Sequence, residues 1–207
     1  MSEREFVRAL IATCVCMAIF IVVPRFMTDM IGNDYLFDFV KQMIFAVPVF
    51  ISVIILKKVW IYRPKPRMLK REWTSALVFI FILLFNLIQC FTVTIEISPA
   101  SFLFFWGHML LIGYCEEVLY RGLILNALHK TFGENTLWGT RLAVILSGAI
   151  FGAFHLLNAM HPEVRFSSAV VQAAGAGFLG MYLGAVYIRT GKALWFLVIL
   201  HALNDGL

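Results

Sequence analysis

The sequence predicts an all-α, polytopic membrane protein with about seven transmembrane helices, and three observations lead there. Of its 207 residues, 61% are hydrophobic and only 14% charged, with a mean hydropathy of +0.88. A water-soluble domain of that balance would expose far too much apolar surface. The apolar runs are long and continuous rather than alternating, which fits helical spans and not the strands of a β-barrel. With a span and its loop taking roughly 25 to 30 residues, the length accommodates one membrane domain over residues 1–207, with the N-terminal helical spans in 1–97 and the spans that bear the candidate catalytic motifs in 98–207.

Taken in order, the first span is expected over approximately Phe6–Val23, closed by Pro24. Its charged start and apolar core resemble a signal peptide, but it runs into Pro24, Arg25 and Phe26 without a small-residue cleavage pattern, so a retained span is expected. A polar link with Asp29, Gly32, Asn33 and Asp34 leads to span two, approximately Phe39–Leu56. Pro64 and Pro66 then exclude a continuous helix. Span three is expected over approximately Thr74–Ile97, before Ser98-Pro99. Span four could run from Ser101 to His129, longer than a bilayer needs, so a tilt or a break near Gly122 is expected. Gly133–Gly139 is polar, and span five follows at about Leu142–Leu157. After the loop Asn158–Arg165, span six covers about Ser168–Ile188 with Gly175, Gly177, Gly180 and Gly184, spacing that predicts a packed interior helix. A tight link at Arg189, Gly191 and Lys192 precedes a last apolar segment from Ala193.

The net charge of +5 does not point to nucleic acid, because the excess sits in one loop: Lys57, Lys58, Arg63, Lys65, Arg67, Lys70 and Arg71. Such a loop reads as a cytoplasmic anchor at lipid headgroups. Alternation then places the N-terminus, Gly133–Arg141 and Arg189–Lys192 on the same side, and Asn158–Arg165 on the other. Cys14, Cys16, Cys90 and Cys115 all fall in apolar runs, without the spacing of a disulfide framework or thiolate metal site.

The polar residues inside the apolar runs carry the chemistry. Cys115-Glu116-Glu117-Val118-Leu119-Tyr120-Arg121-Gly122 puts two carboxylates and a guanidinium deep in a span, where ionisable groups are costly. Glu117 and Arg121, four apart, share a face and can pair. Glu116 lies about 100° round the helix, with Tyr120 at its own i+4 position, and so is the freer carboxylate. Taken alone, these residues fit a structural network between helices as well as a functional site. His155 and His201, each on a late span, and Asn204 and Asp205 one turn after His201, tilt the reading toward hydrolysis. A glutamate can take a proton from water with a histidine's help, and further donors can stabilise an oxyanion. Gln89, Asn86, Glu96 and His108 are further polar residues in apolar runs.

Glu116-Glu117-xxx-Arg121, Phe151-xxx-His155 and His201-xxx-Asp205, in that order on successive hydrophobic blocks, resemble the CAAX-protease and bacteriocin-processing (abortive-infection) family of glutamate-type intramembrane endopeptidases. The resemblance spans Glu116–Asp205. It implies that Glu116 activates water, helped by His155, that His201 and Asp205 hold the oxyanion or substrate carbonyl, and that Glu117 and Arg121 orient the site. The last motif position allows Asn or Asp. An ionised Asp only accepts hydrogen bonds, so Asp205 is either protonated, or orients His201, or leaves the donor role to Asn204. Glu116, His155 and His201 could in principle bind zinc, but no His-Glu-xx-His helix is present and the family works without metal. No metal and no other cofactor is therefore expected.

The function expected is cleavage of a membrane-associated, hydrophobic or lipidated peptide or protein by a glutamate- and histidine-activated water. The partners expected are that substrate and membrane lipid, with no nucleic acid. The short chain without an organelle signal suggests a bacterial cytoplasmic membrane. A non-enzymatic immunity or secretion-accessory protein needs the scaffold without the constellation. A proton-coupled transporter would also carry Glu and His at midplane, but the sequence shows no repeated half.

Overall fold

The computed structural model describes residues 2–22, 34–63, 80, 84, 98–160 and 164–206. Among these residues there are six helices: α1 (Ser2–Val22), α2 (Asp34–Ile55, with Pro48 inside), α3 (Pro99–Phe132), α4 (Leu137–His155), α5 (Phe166–Arg189) and α6 (Leu194–Gly206). The first five are long and apolar enough to cross a membrane, whereas α6 is shorter. The span expected over Thr74–Ile97, with Asn86, Gln89, Cys90 and Glu96, lies outside the described residues, as does most of the basic loop.

Local chemistry sets the helix ends. Ser98 caps α3 by accepting from the Ser101 backbone N–H at 3.1 Å, with Pro99 in the first turn where its missing N–H costs nothing. Gly133, at φ 101°, ends the same helix in a conformation that favours glycine. Thr136 then caps α4 by accepting from the Gly139 N–H at 3.0 Å.

Helix direction follows from named contacts. The Glu5 carboxylate bridges Lys58 at 2.9 Å and Lys130 at 3.0 Å, so α1 starts where α2 and α3 end. At the opposite ends of α2 and α3, Phe39 packs on Phe104 and Tyr35 on Phe105. Helices α2 and α3 are therefore parallel, and α1 is antiparallel to both. The Glu5 pairs are partly exposed and contribute about 0–1 kcal/mol each; their value here is to mark one basic end of the bundle. Lys192 also belongs to that end. It lies 5.3 Å over the Trp60 ring, and burial pushes its ammonium below the usual lysine range against the opposing pull of Glu134.

The outside of the bundle is apolar at helical spacing: Val7, Ile11 and Val15 on α1, Leu103 and Leu110 on α3, Val171 and Phe178 on α5 are all exposed. A surface of that kind suits lipid, and the chain is an integral, multi-pass membrane protein.

Helices α4 and α5 make the closest packing. A methyl added at Gly152 would lie 2.5 Å from the Ala173 carbonyl oxygen, and one at Gly148 would lie 2.7 Å from the Met181 nitrogen. Gly177, Gly180 and Gly184 face inward, but Gly175 does not, and an added Cβ there meets nothing within 4 Å. The expectation of a packed interior helix is corrected on its other face, where Val171 and Phe178 of α5 are 72–73% exposed. At about 100° per residue, Gly177, Gly180 and Gly184 form one stripe and Gly175 points almost the other way. Gly152→Val is expected to destabilise the protein by about 1–3 kcal/mol, whereas Gly175→Ala is expected to leave it unchanged or slightly more stable. Thermal unfolding in detergent reads both.

Candidate active site

The carboxylate-bearing stretch does not break at Gly122. Helix α3 stays continuous, but Glu117–Leu125 widens into a π-helix between the α-helical Pro99–Glu116 and Asn126–Phe132. Turns closed i→i+5 are rare and recur at functional sites. All nine residues of the widened segment are buried. Gly122 makes room for the short turn Val59–Tyr62, because an added Cβ would lie 2.9 Å from Ile61 Cδ1.

From this segment the two adjacent glutamates enter different surroundings. Glu117 is completely buried, and its Oε1 lies 2.9 Å from Arg121 Nη1 and 2.7 Å from His201 Nδ1. The Arg121 contact is an ion pair whose N–H is not aligned as a hydrogen bond. Arg121 is buried too: Nη2 donates to the Gly180 carbonyl of α5 at 3.3 Å, and the guanidinium lies 4.7 Å over the Phe151 ring. Glu116, in contrast, keeps a quarter of its side chain exposed, with Oε2 3.3 Å from His201 Nε2.

His201 on α6 is thus the hub. Its Nδ1–H donates to Glu117, while Nε2 faces Glu116 at 3.3 Å and Asp205 Oδ2 at 3.4 Å. Gly113 of α3 permits the approach, since a Cβ there would lie 2.7 Å from the Val198 carbonyl oxygen on α6. Asp205 is exposed, and Asn204 donates to Asp205 Oδ1 at 3.2 Å.

His155 ends α4, where Nδ1–H donates to the Phe151 carbonyl at 3.0 Å. A carbonyl can only accept, so in the neutral ring the other nitrogen is the acceptor. His155 joins the group through Phe151, whose ring packs edge-on against His155 (4.6 Å), His201 (6.0 Å) and Tyr120 (4.8 Å). His108 is half-buried on α3, about two turns before Glu116, near Asp38 and Lys41 of α2. Among the described residues, no three His, Cys, Asp or Glu side chains are grouped so as to hold a metal ion.

Phe151 stands in the sequence only as a motif position, and Asn126, Ser147 and Tyr187 belong to no motif. Ser147 donates to the Tyr120 carbonyl at 3.2 Å, and Asn126 bonds the backbone of the widened segment. A polar side chain among apolar neighbours, at i+4 and i+5 from the residues it serves, was the available signal for Asn126.

A helical membrane protein in which adjacent carboxylates of one helix meet the imidazole of another defines a class, the polytopic membrane proteins built around an intramembrane polar site. Residues 97–207 match the family described as Type II CAAX prenyl endopeptidase Rce1-like. The chain belongs to that family, within the CAAX-protease and abortive-infection group of glutamate-type intramembrane proteases. Comparison with curated proteins and with solved structures gives no match.

Proposed function

We propose that the protein is an intramembrane endopeptidase that cleaves a membrane-associated, hydrophobic or lipidated peptide by direct attack of water. The observation that carries this reading is the division between the two glutamates. Glu117 is buried and committed to Arg121 and His201, while Glu116 beside it is partly open and faces the same imidazole. In the proposed step, Glu116 takes a proton from water with His155 as a second acceptor, and the water oxygen attacks the scissile carbonyl carbon. His201, doubly protonated, donates from Nε2 to the resulting oxyanion, and Glu116 returns the proton to the leaving amine as the C–N bond breaks. Asp205, whose Oδ2 lies 3.4 Å from Nε2, orients His201 by charge and leaves the Nε2–H to the oxyanion, a role favoured by the Asn204 hydrogen bond to its other oxygen. No metal takes part in this scheme.

The test is cleavage of quenched fluorescent hydrophobic peptides by detergent-purified protein. His155→Ala is expected to lower kcat by about 10²-fold, and a chelator to leave wild-type turnover unchanged. Loss of activity to the chelator, restored by zinc, would replace this scheme with a metalloprotease. A cellular phenotype that survives loss of Glu116 would favour an immunity or accessory protein.

Substrate is proposed to enter from the end of the bundle opposite the Lys58–Glu5–Lys130 cluster, because α4 ends at His155 and exposed Asp205 lies near that end of α6. The positive-inside rule makes the basic end cytoplasmic. A membrane-impermeant thiol reagent added to intact cells is expected to label Asn204→Cys and not Lys57→Cys, in a background without native cysteines. The reverse pattern would invert the orientation and leave the chemistry standing.

A further inference from the structure

The π-helical segment raises a backbone question that no part of the reaction scheme answers. In a bilayer every freed carbonyl needs a partner inside the protein. The α-helical partner of the Gly122 carbonyl would be the Asn126 backbone N–H, but that N–H turns to Leu123 instead. The Asn126 side chain supplies a donor to that carbonyl: Nδ2 donates to the Gly122 carbonyl at 3.0 Å and to the Arg121 carbonyl at 2.9 Å, and lies 2.9 Å from the Tyr187 hydroxyl of α5. The two carbonyls fix which end of the amide is nitrogen, since an oxygen there would repel them. The amide Oδ1 stays buried without a hydrogen-bond partner among the described residues. Leaving that acceptor unmet is costly, so what this residue supplies is its pair of donors.

We propose that Asn126 is a positioning residue for the reaction, holding residues 117–125 in the widened turn that sets Glu116 and Glu117 against His201. Helix α5 grips the segment at two places on one face, through the Gly180 carbonyl on Arg121 and the Tyr187 hydroxyl on Asn126. Relaxing the segment to an α-helix would shift the rotational phase between the two halves of α3, by up to about 100° for each residue of register. The carboxylates and Arg121 could not then both keep their partners.

The inference rests on the protease reading for its activity arm and on geometry alone for its second arm. Asn126→Leu is expected to lower kcat about tenfold or more with KM within about twofold, since the residue does not touch substrate. Asn126→Asp keeps the shape; ionised it has no donor and repels both carbonyls, protonated it regains one donor. Its kcat relative to wild type is therefore expected to rise as pH falls, a response that a residue filling space alone would not give. In parallel, nitroxide labels at Leu110 and Phe132, both exposed on α3, report the length of the helix between them, and Asn126→Leu is expected to shift that distance. Unchanged distance with unchanged kcat in the folded protein, even at a lower melting temperature, would overturn the proposal. A wild-type protein that cleaves nothing would instead overturn the protease reading, while the label distance still decides whether Asn126 holds the turn.

Discussion

Glu116→Gln is expected to lower kcat by about 10²–10⁴-fold while leaving KM and the melting temperature close to wild type. The substitution keeps shape and removes the basicity on which proton transfer from water depends. It also falls on a partly exposed side chain, so little folding energy is at stake. A thousandfold loss corresponds to about 4 kcal/mol of barrier, well above what altered contacts at an exposed edge would produce. The adjacent position supplies the control. Glu117→Gln neutralises a carboxylate that is fully buried between Arg121 and His201, so it is expected to lower the melting temperature as well as the rate. Peptide cleavage and thermal unfolding, measured on both variants, separate the two. An active Glu116→Gln protein beside a stable, inert Glu117→Gln protein would exchange the roles assigned to the pair.

The membrane class and most helices were legible because lipid imposes a simple demand: long apolar runs, ended where Ser98-Pro99, Gly133 or Thr136 can satisfy or release the backbone. The residues of the site were legible for the converse reason, since charges within such runs stand out. Their arrangement was less so. Spacing gave the Glu117–Arg121 contact, but an α-helical wheel contains no widened turn, and Asn126 was its one local signal. The turn's partners on α5, the Gly180 carbonyl and the Tyr187 hydroxyl, lie some sixty residues further on. The hub role of His201 was hidden likewise, because it requires α6 to lie against Gly113. Gly175 is a different case. Its phase relative to Gly177, Gly180 and Gly184 was available from the helical period, and counting small residues without it enlarged the stripe.

Arg121→Met is expected to cost about 3–5 kcal/mol, a large share of the roughly 5–15 kcal/mol that holds a typical domain folded. The loss comes less from the missing ion pair than from what remains: a Glu117 carboxylate at full burial held by His201 alone, with Oε2 already lacking a hydrogen-bond partner among the described residues, and a Phe151 ring without the cation above it. Pairing the change with Glu117→Gln removes the stranded charge while preserving an oxygen for His201 Nδ1–H. The double variant is therefore expected to recover most of the melting temperature, giving a coupling energy well beyond the few tenths of a kcal/mol seen for independent sites. Activity is expected to stay low, because a neutral amide no longer favours the imidazolium that donates to the oxyanion. Recovery of stability without recovery of cleavage would mean that the buried charges are kept for the reaction and are dispensable for the fold. Recovery of both would return Glu117 and Arg121 to the structural network that their spacing alone equally allowed.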